Sequence, residues 1–227
     1  VAKKAGYVKP ETPMIHIGFG TMNGKDGKPF KTREGGVMRL EHLIADIDEA
    51  VYSRIMENCS MDEAEAKETA KIVGLAALKY GDLSNQAAKD YVFDIDRFIS
   101  FEGNTGPYIL YTIVRIKSIL AKYEAQNPGA KAESILPAAS DAEKTLMLEL
   151  SKYNDVMESA FAETAPHKIC QYIFDLSNAF NSFYHDTRIL AEEDKERQAS
   201  WIALITLVKR VLEACIQVLG FEAPERM

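Results

Sequence analysis

Apolar residues recur at steps of three and four through most of this chain, which is the signature of helices that bury one stripe. In residues 39–80, Leu40, Leu43, Ile44, Ile47 and Val51 keep that spacing, with Glu41, Asp46, Asp48 and Glu49 on the opposite side. Ser60-Met61-Asp62-Glu63 reads as a second helix start, a Ser cap with Glu at N3. That helix continues through Ile72, Leu75, Ala76, Lys79 and Tyr80, with Gly81 as its C-cap. After Gly103-Asn104-Thr105-Gly106-Pro107, Ile109, Ile113, Ile116 and Leu120 define a third stripe, capped by Thr105 with Pro107 in the first turn. Residues 127–140 form a small-residue loop ending in Ser140, a cap for one or two helices with Leu146, Leu150, Tyr153, Val156 and Met157 inward. Pro166 opens the clearest period, with Ile169, Tyr172, Ile173, Leu176, Phe180, Phe183 and Leu190 near one stripe. A last helix over 197–219 carries Trp201, Leu204, Val208, Val211, Cys215 and Val218 and ends at Gly220. The expected fold class is all-α, a helical bundle.

Residues 1–40 break this pattern. Ile15 to Gly20 alternate like a short strand, and Asn23-Gly24 and Asp26-Gly27 are turn signals, so the segment is expected to be a turn-rich β-hairpin. Two phosphate-loop patterns fail there. Gly18, Gly20 and Gly24 are one residue off the dinucleotide fingerprint, and Gly24-Lys25 lacks the Gly at position 19 and the Ser or Thr at 26 of a Walker loop.

Composition adds limits. The 227 residues are 47% hydrophobic and 27% charged, ordinary for a chain that buries a core. No apolar run reaches the roughly 18 residues of a membrane helix, and the amino terminus lacks a signal-peptide h-region. Cys59, Cys170 and Cys215 show neither CxxC spacing nor an even count, so a disulfide framework and a zinc site are unsupported and a reducing cytoplasm is the expected setting. His16, His42, His167 and His185 stand on unrelated elements, so no metal site is expected. Net charge is −7, yet residues 1–40 hold eight basic against three acidic groups, leaving −12 for the rest. Phosphate contact is therefore expected near the amino end and at Arg115, Lys117 and Lys122. The chain starts with Val and reads as part of a longer protein.

Two helical faces carry candidate chemistry. Tyr108, Tyr111 and Arg115 share one face of the central helix, separate from its apolar stripe; Asn181, Tyr184 and Arg188 do so on the helix opened by Pro166. Such faces suit helices that present stacking groups outward, and they equally suit tyrosines that edge a core with a wet hydroxyl.

The run Ser100-Phe101-Glu102-Gly103-Asn104-Thr105-Gly106-Pro107-Tyr108, continued by Tyr111, Arg115 and Ser118-Ile119-Leu120, resembles the SFEGNTxPYxxYxxxRxxSIL signature of arginyl-tRNA synthetases. Pro166-His167-Lys168 through Phe183-Tyr184 resembles that family's PHxLxxYLxxLAxxFxxFY element, and the ending Leu219-Gly220 to Pro224-Glu225-Arg226-Met227 its LGxxxPERM ending. The resemblance covers essentially the whole chain. It implies a carboxy-terminal portion: residues 1–40 from the end of the catalytic domain, 41–92 a helical connector, and 93–227 an anticodon-binding helical domain of the DALR type. Phe30-Lys31-Thr32-Arg33 looks like the family's counterpart of the KMSKS loop, so Lys31 and Arg33, with Lys28 a weaker third, are implied to bring cations to ATP's triphosphate. Pro29 and Glu34 depart from the usual residues there. Implied RNA contacts are Asn104, Tyr108, Tyr111, Arg115, Tyr184, Arg188 and Met227.

Arginine tRNA and the amino-terminal catalytic part are the implied partners, without membrane or DNA. ATP and Mg²⁺ would serve the full-length enzyme, with neither expected on this chain. The catalytic fold with its HIGH motif would lie upstream of Val1, so this chain alone is expected to be inactive. The alternative is a helical protein-interaction module without RNA binding, which salt-sensitive tRNA binding would exclude.

Overall fold

Capping side chains mark several of the helix starts in this protein. The structure, a computed structural model, describes residues 1–29, 39–58, 61–132 and 134–227. In chain order the helices are α1 (Leu40–Asn58), α2 (Glu63–Leu83), α3 (Ile95–Phe98), α4 (Gly106–Gln126), α5 (Asp141–Ser151), α6 (Tyr153–Glu163), α7 (Pro166–Asp186) and α8 (Lys195–Val218). Thr105 Oγ1 accepts from the Tyr108 amide at 3.2 Å to start α4, and Ser140 Oγ accepts from Glu143 at 3.1 Å to start α5. The fold is mostly helical, with one two-stranded sheet among the described residues.

One buried apolar cluster draws on α1, α2, α4, α7 and α8 together. Helix α1 lies on α2, α2 on α4 and α7, and α4 on α7 and α8, while α5 and α6 cover α7. Ile109, Leu110, Ile113 and Ile116 of α4 are fully enclosed. At roughly 1.5–3 kcal/mol for each such side chain, they make α4 the central strut. Gly106 allows the close crossing of α4 over α2: a Cβ there would sit 2.5 Å from the Ala76 carbonyl oxygen.

Several local expectations are corrected. Helix α2 is capped by Asp62, which accepts from the Glu65 amide at 2.9 Å; Ser60 and Cys59 lie outside the described residues. Gly81 does not end α2. It sits inside the helix because the Phe98 ring occupies the space where a Cβ would lie, 2.3 Å away. On α1, Leu43, Ile47, Val51 and Ile55 form the buried stripe, whereas Leu40 and Ile44 are exposed. On α8, Val218 is likewise exposed and Leu212 takes a core place.

The amino-terminal segment is turn-rich as expected, but residues 15–20 form no strand. Strand β1 (Met22–Asn23) pairs in parallel with β2 (Tyr91–Val92). The turn beyond it closes through the Gly24 amide on the Lys28 carbonyl at 2.9 Å, with an antiparallel bridge from Asn23 to Pro29. Long-range bonds from the loop after α2 capture this segment: Gly20 donates to the Ala87 carbonyl at 2.8 Å and Thr21 to the Asp90 carboxylate at 2.7 Å. Lys25 then bridges Asp94 and Asp96 at 3.0 and 2.8 Å.

Candidate nucleic-acid interface

Helices α4 and α7 lie side by side, and the seam between them is polar where it reaches the surface. Tyr111 and Tyr184 are each 39% exposed at that outer edge. The Arg115 guanidinium lies 4.6 Å from the Tyr111 ring centre and 5.3 Å from the Tyr184 ring centre. Each such cation–π contact is worth about 0.5–1 kcal/mol at an exposed site. Tyr184 in turn stacks on buried Phe180, with ring centres 6.0 Å apart and planes 18° from parallel. Core packing thereby aims an exposed aromatic face.

Met227 reaches the same face from the far end of the chain. It lines a groove of about 720 Å³ with Tyr111, Phe101, Glu102, Arg54, Ile55 and Glu57. A carboxy terminus would ordinarily fray. Here Phe221 and Pro224 are buried, and three cations hold the tail. Lys79 donates to the Gly220 carbonyl, Lys117 reaches the Pro224 carbonyl at 3.2 Å and the Glu225 carboxylate at 2.7 Å, and Arg226 forms a two-pronged pair with Glu65 of α2. The hydrogen bond from Arg226 holds the Glu65 carboxyl below its ordinary range, and Lys117 does the same for Glu225. Lys117 is therefore committed to the tail, against the expectation that it offers an unpaired charge to phosphate.

Three of the expected contact residues sit elsewhere or differently. Tyr108 does not point outward as a stacking group: it is half-buried against Phe174, at 5.7 Å between ring centres, with its hydroxyl bonded to Asn178 and Asn181. Asn104 is exposed on the loop before α4, and its side-chain oxygen lies 2.5 Å from the hydroxyl of buried Tyr80, apart from the tyrosine–arginine cluster. Burial raises the Tyr80 phenol well above its usual range, so that hydroxyl stays a neutral donor. Arg188 is exposed but off the helix. Helix α7 stops at Asp186 and Thr187 is extended, which removes the one-turn register with Tyr184. Lys31 and Arg33 lie outside the described residues, and Lys28 is an exposed residue of the turn that follows β1.

Sequence reasoning did not single out Arg54, Asn178 or the Glu65–Arg226 pair. Asn178 and Asn181 were visible as two amides three residues apart beside an apolar stripe. The Glu65–Arg226 pair joins residues 161 positions apart and left no local signal. Among the described residues, no group of three His, Cys, Asp or Glu side chains could hold a metal ion. Among the described residues, no helix is long and apolar enough to cross a membrane.

Comparison with known proteins finds two family matches: the DALR anticodon binding domain over residues 109–227, and the class I tRNA synthetase (R) catalytic domain over residues 1–95. Together they define a piece of a class I aminoacyl-tRNA synthetase with a helical anticodon-binding domain. The DALR match takes in more than half of the chain, and the chain belongs to the arginyl-tRNA synthetase family. It is 62% identical over its whole length to an arginine–tRNA ligase of Agathobacter rectalis and 58% identical to one of Alkaliphilus oremlandii, spanning 39% and 38% of those proteins. The solved arginyl-tRNA synthetase of Thermus thermophilus superposes on 93% of this chain and 35% of its own, at 26% identity and a TM-score of 0.81. The catalytic match runs through α1 and α2 to the start of α3, so the chain carries more than an anticodon-binding domain.

Proposed function

We propose that this chain reads the anticodon arm of an arginine tRNA with the outer face of α4 and α7. One observation carries the reading: Arg115 is held between the rings of Tyr111 and Tyr184, with Met227 brought beside Tyr111 by a clamped tail. Exposed aromatic rings accept unstacked bases of a single-stranded loop, and a guanidinium among them adds charge and planar hydrogen bonding. Asn104 and Arg188 extend the reading along the same arm, while Tyr108 supports the face from beneath it through Asn178 and Asn181. In this reading residues 1–40 close the catalytic domain, 41–92 connect, and 93–227 bind the anticodon. The full-length cytoplasmic enzyme ligates arginine to tRNA with ATP and Mg²⁺, Lys31 and Arg33 meeting the triphosphate. This chain alone neither activates arginine nor hydrolyses ATP.

The test is binding of arginine tRNA and of an anticodon-altered version at two salt concentrations. Tighter, salt-sensitive binding to the intact anticodon is expected, weakened on Tyr184→Ala by about 1–3 kcal/mol, the usual worth of one stacked base. Equal affinity for both RNAs would sink the anticodon assignment, and pyrophosphate exchange by the purified chain would sink the claim of inactivity.

A further inference from the structure

Beneath the exposed rings runs a chain of hydrogen bonds whose direction is set from the Arg115 end. Arg115 Nη1 donates to Asn181 Oδ1 at 2.6 Å. Arginine has no acceptor, so the Asn181 atom facing it must be the carbonyl oxygen, and the amide nitrogen must face the other way. That nitrogen donates to the Tyr108 hydroxyl at 2.9 Å, with Thr112 Oγ1 at 3.4 Å as its second acceptor. Its hydroxyl oxygen now occupied, Tyr108 spends its proton on Asn178 Oδ1 at 2.6 Å. The Thr112 hydroxyl proton goes to the Tyr108 backbone carbonyl at 3.1 Å, which leaves its oxygen free to accept.

We infer that Asn181, backed by Tyr108 and Asn178, is a positioning residue that fixes the Arg115 guanidinium between Tyr111 and Tyr184 and so sets its remaining donors for RNA. This rests on the proposed anticodon reading. Arginine carries about 2 kcal/mol of side-chain conformational freedom, and a cation–π contact alone leaves the guanidinium free to turn in its plane. One short bond to a half-buried amide removes that rotation before RNA arrives, and a ligand that meets pre-ordered donors loses less entropy on binding. Tyr108, conspicuous in sequence as a stacking candidate, acts in this arrangement from below the face.

The experiment measures the affinity of the intact chain for an arginine-tRNA anticodon stem-loop and for an anticodon-altered stem-loop, with thermal unfolding alongside. Asn181→Leu, similar in size but without an acceptor, is expected to weaken binding about tenfold, or about 1.4 kcal/mol, and to reduce discrimination between the two RNAs. Asn181→Asp keeps an acceptor for Arg115 and is expected to restore discrimination. In an Arg115→Ala background, Asn181→Leu should cost nothing further, because its effect passes through Arg115. A merely structural Asn181 would lower the melting temperature without these RNA-specific effects. If Tyr184→Ala weakens binding while Asn181→Leu does not, this inference alone is overturned. If neither variant changes binding, the anticodon reading fails and takes the inference with it.

Discussion

The inner and outer faces of the α4–α7 pair use the same residue types for opposite ends. Inside, Phe180 and Phe183 are fully enclosed, and Tyr108, like Tyr80 of the adjoining α2, spends its hydroxyl on protein acceptors. Outside, Tyr111 and Tyr184 keep much of their surface in solvent, with Arg115 between them. Aromatic identity therefore says little about role. What separates a core tyrosine from an exposed one is whether neighbouring helices supply partners for its hydroxyl and cover for its ring.

The sharpest way to break the comparison is at Phe180, which belongs to the inner face but supports Tyr184. Phe180→Ala should lower stability by about 3–5 kcal/mol, read as a reduced urea midpoint, and should also weaken RNA binding as Tyr184 loses its stacking floor. Retained affinity in the folded variant would show that the outer face is not set by the core. A smaller and more selective effect is expected at Tyr111. Tyr111→Ala should cost about 1–3 kcal/mol of RNA affinity while leaving the urea midpoint nearly unchanged. The reverse pattern would place Tyr111 among the core-edge residues.

The smallest effect concerns the tail that delivers Met227. Glu65 and Glu225 are both held below the ordinary carboxyl value of 4.5 by Arg226 and Lys117. A carboxylate depressed in the folded state contributes stability above its unfolded value, and that contribution is lost as pH falls through the folded value. Acidification below the ordinary Glu range should release the tail, seen as the Met227 methyl resonance moving toward its free-chain position. Glu65→Gln should move it at neutral pH. A resonance insensitive to both changes would show that burial of Phe221 and Pro224 holds the tail without the ion pairs.

Helix positions were readable because a 3.6-residue period with capping residues is a local property. Thr105, Pro107 and Ser140 marked helix starts that the structure contains, and the α7 stripe from Ile169 to Phe183 is buried as its spacing required. Where reading failed, a distant contact had overridden a local rule. Gly81 looked like a terminator, but its lack of a side chain answers to the Phe98 ring. Residues 15–20 alternate like a strand, yet the pairing went to Met22–Asn23, where residues 91–92 offer a partner.

By itself, then, the sequence determined the mostly helical class, most helix boundaries and the helix faces from which Tyr111, Arg115 and Tyr184 leave their own helices. Tertiary structure alone decided which members of that face are available. Tyr108 turned inward because α7 presents Asn178 and Asn181 opposite it, Arg188 left the face because α7 ends at Asp186, and Lys117 was claimed by the carboxy-terminal tail. Periodicity fixes the direction in which a side chain leaves its own helix. Only the packing of remote segments fixes what that side chain meets.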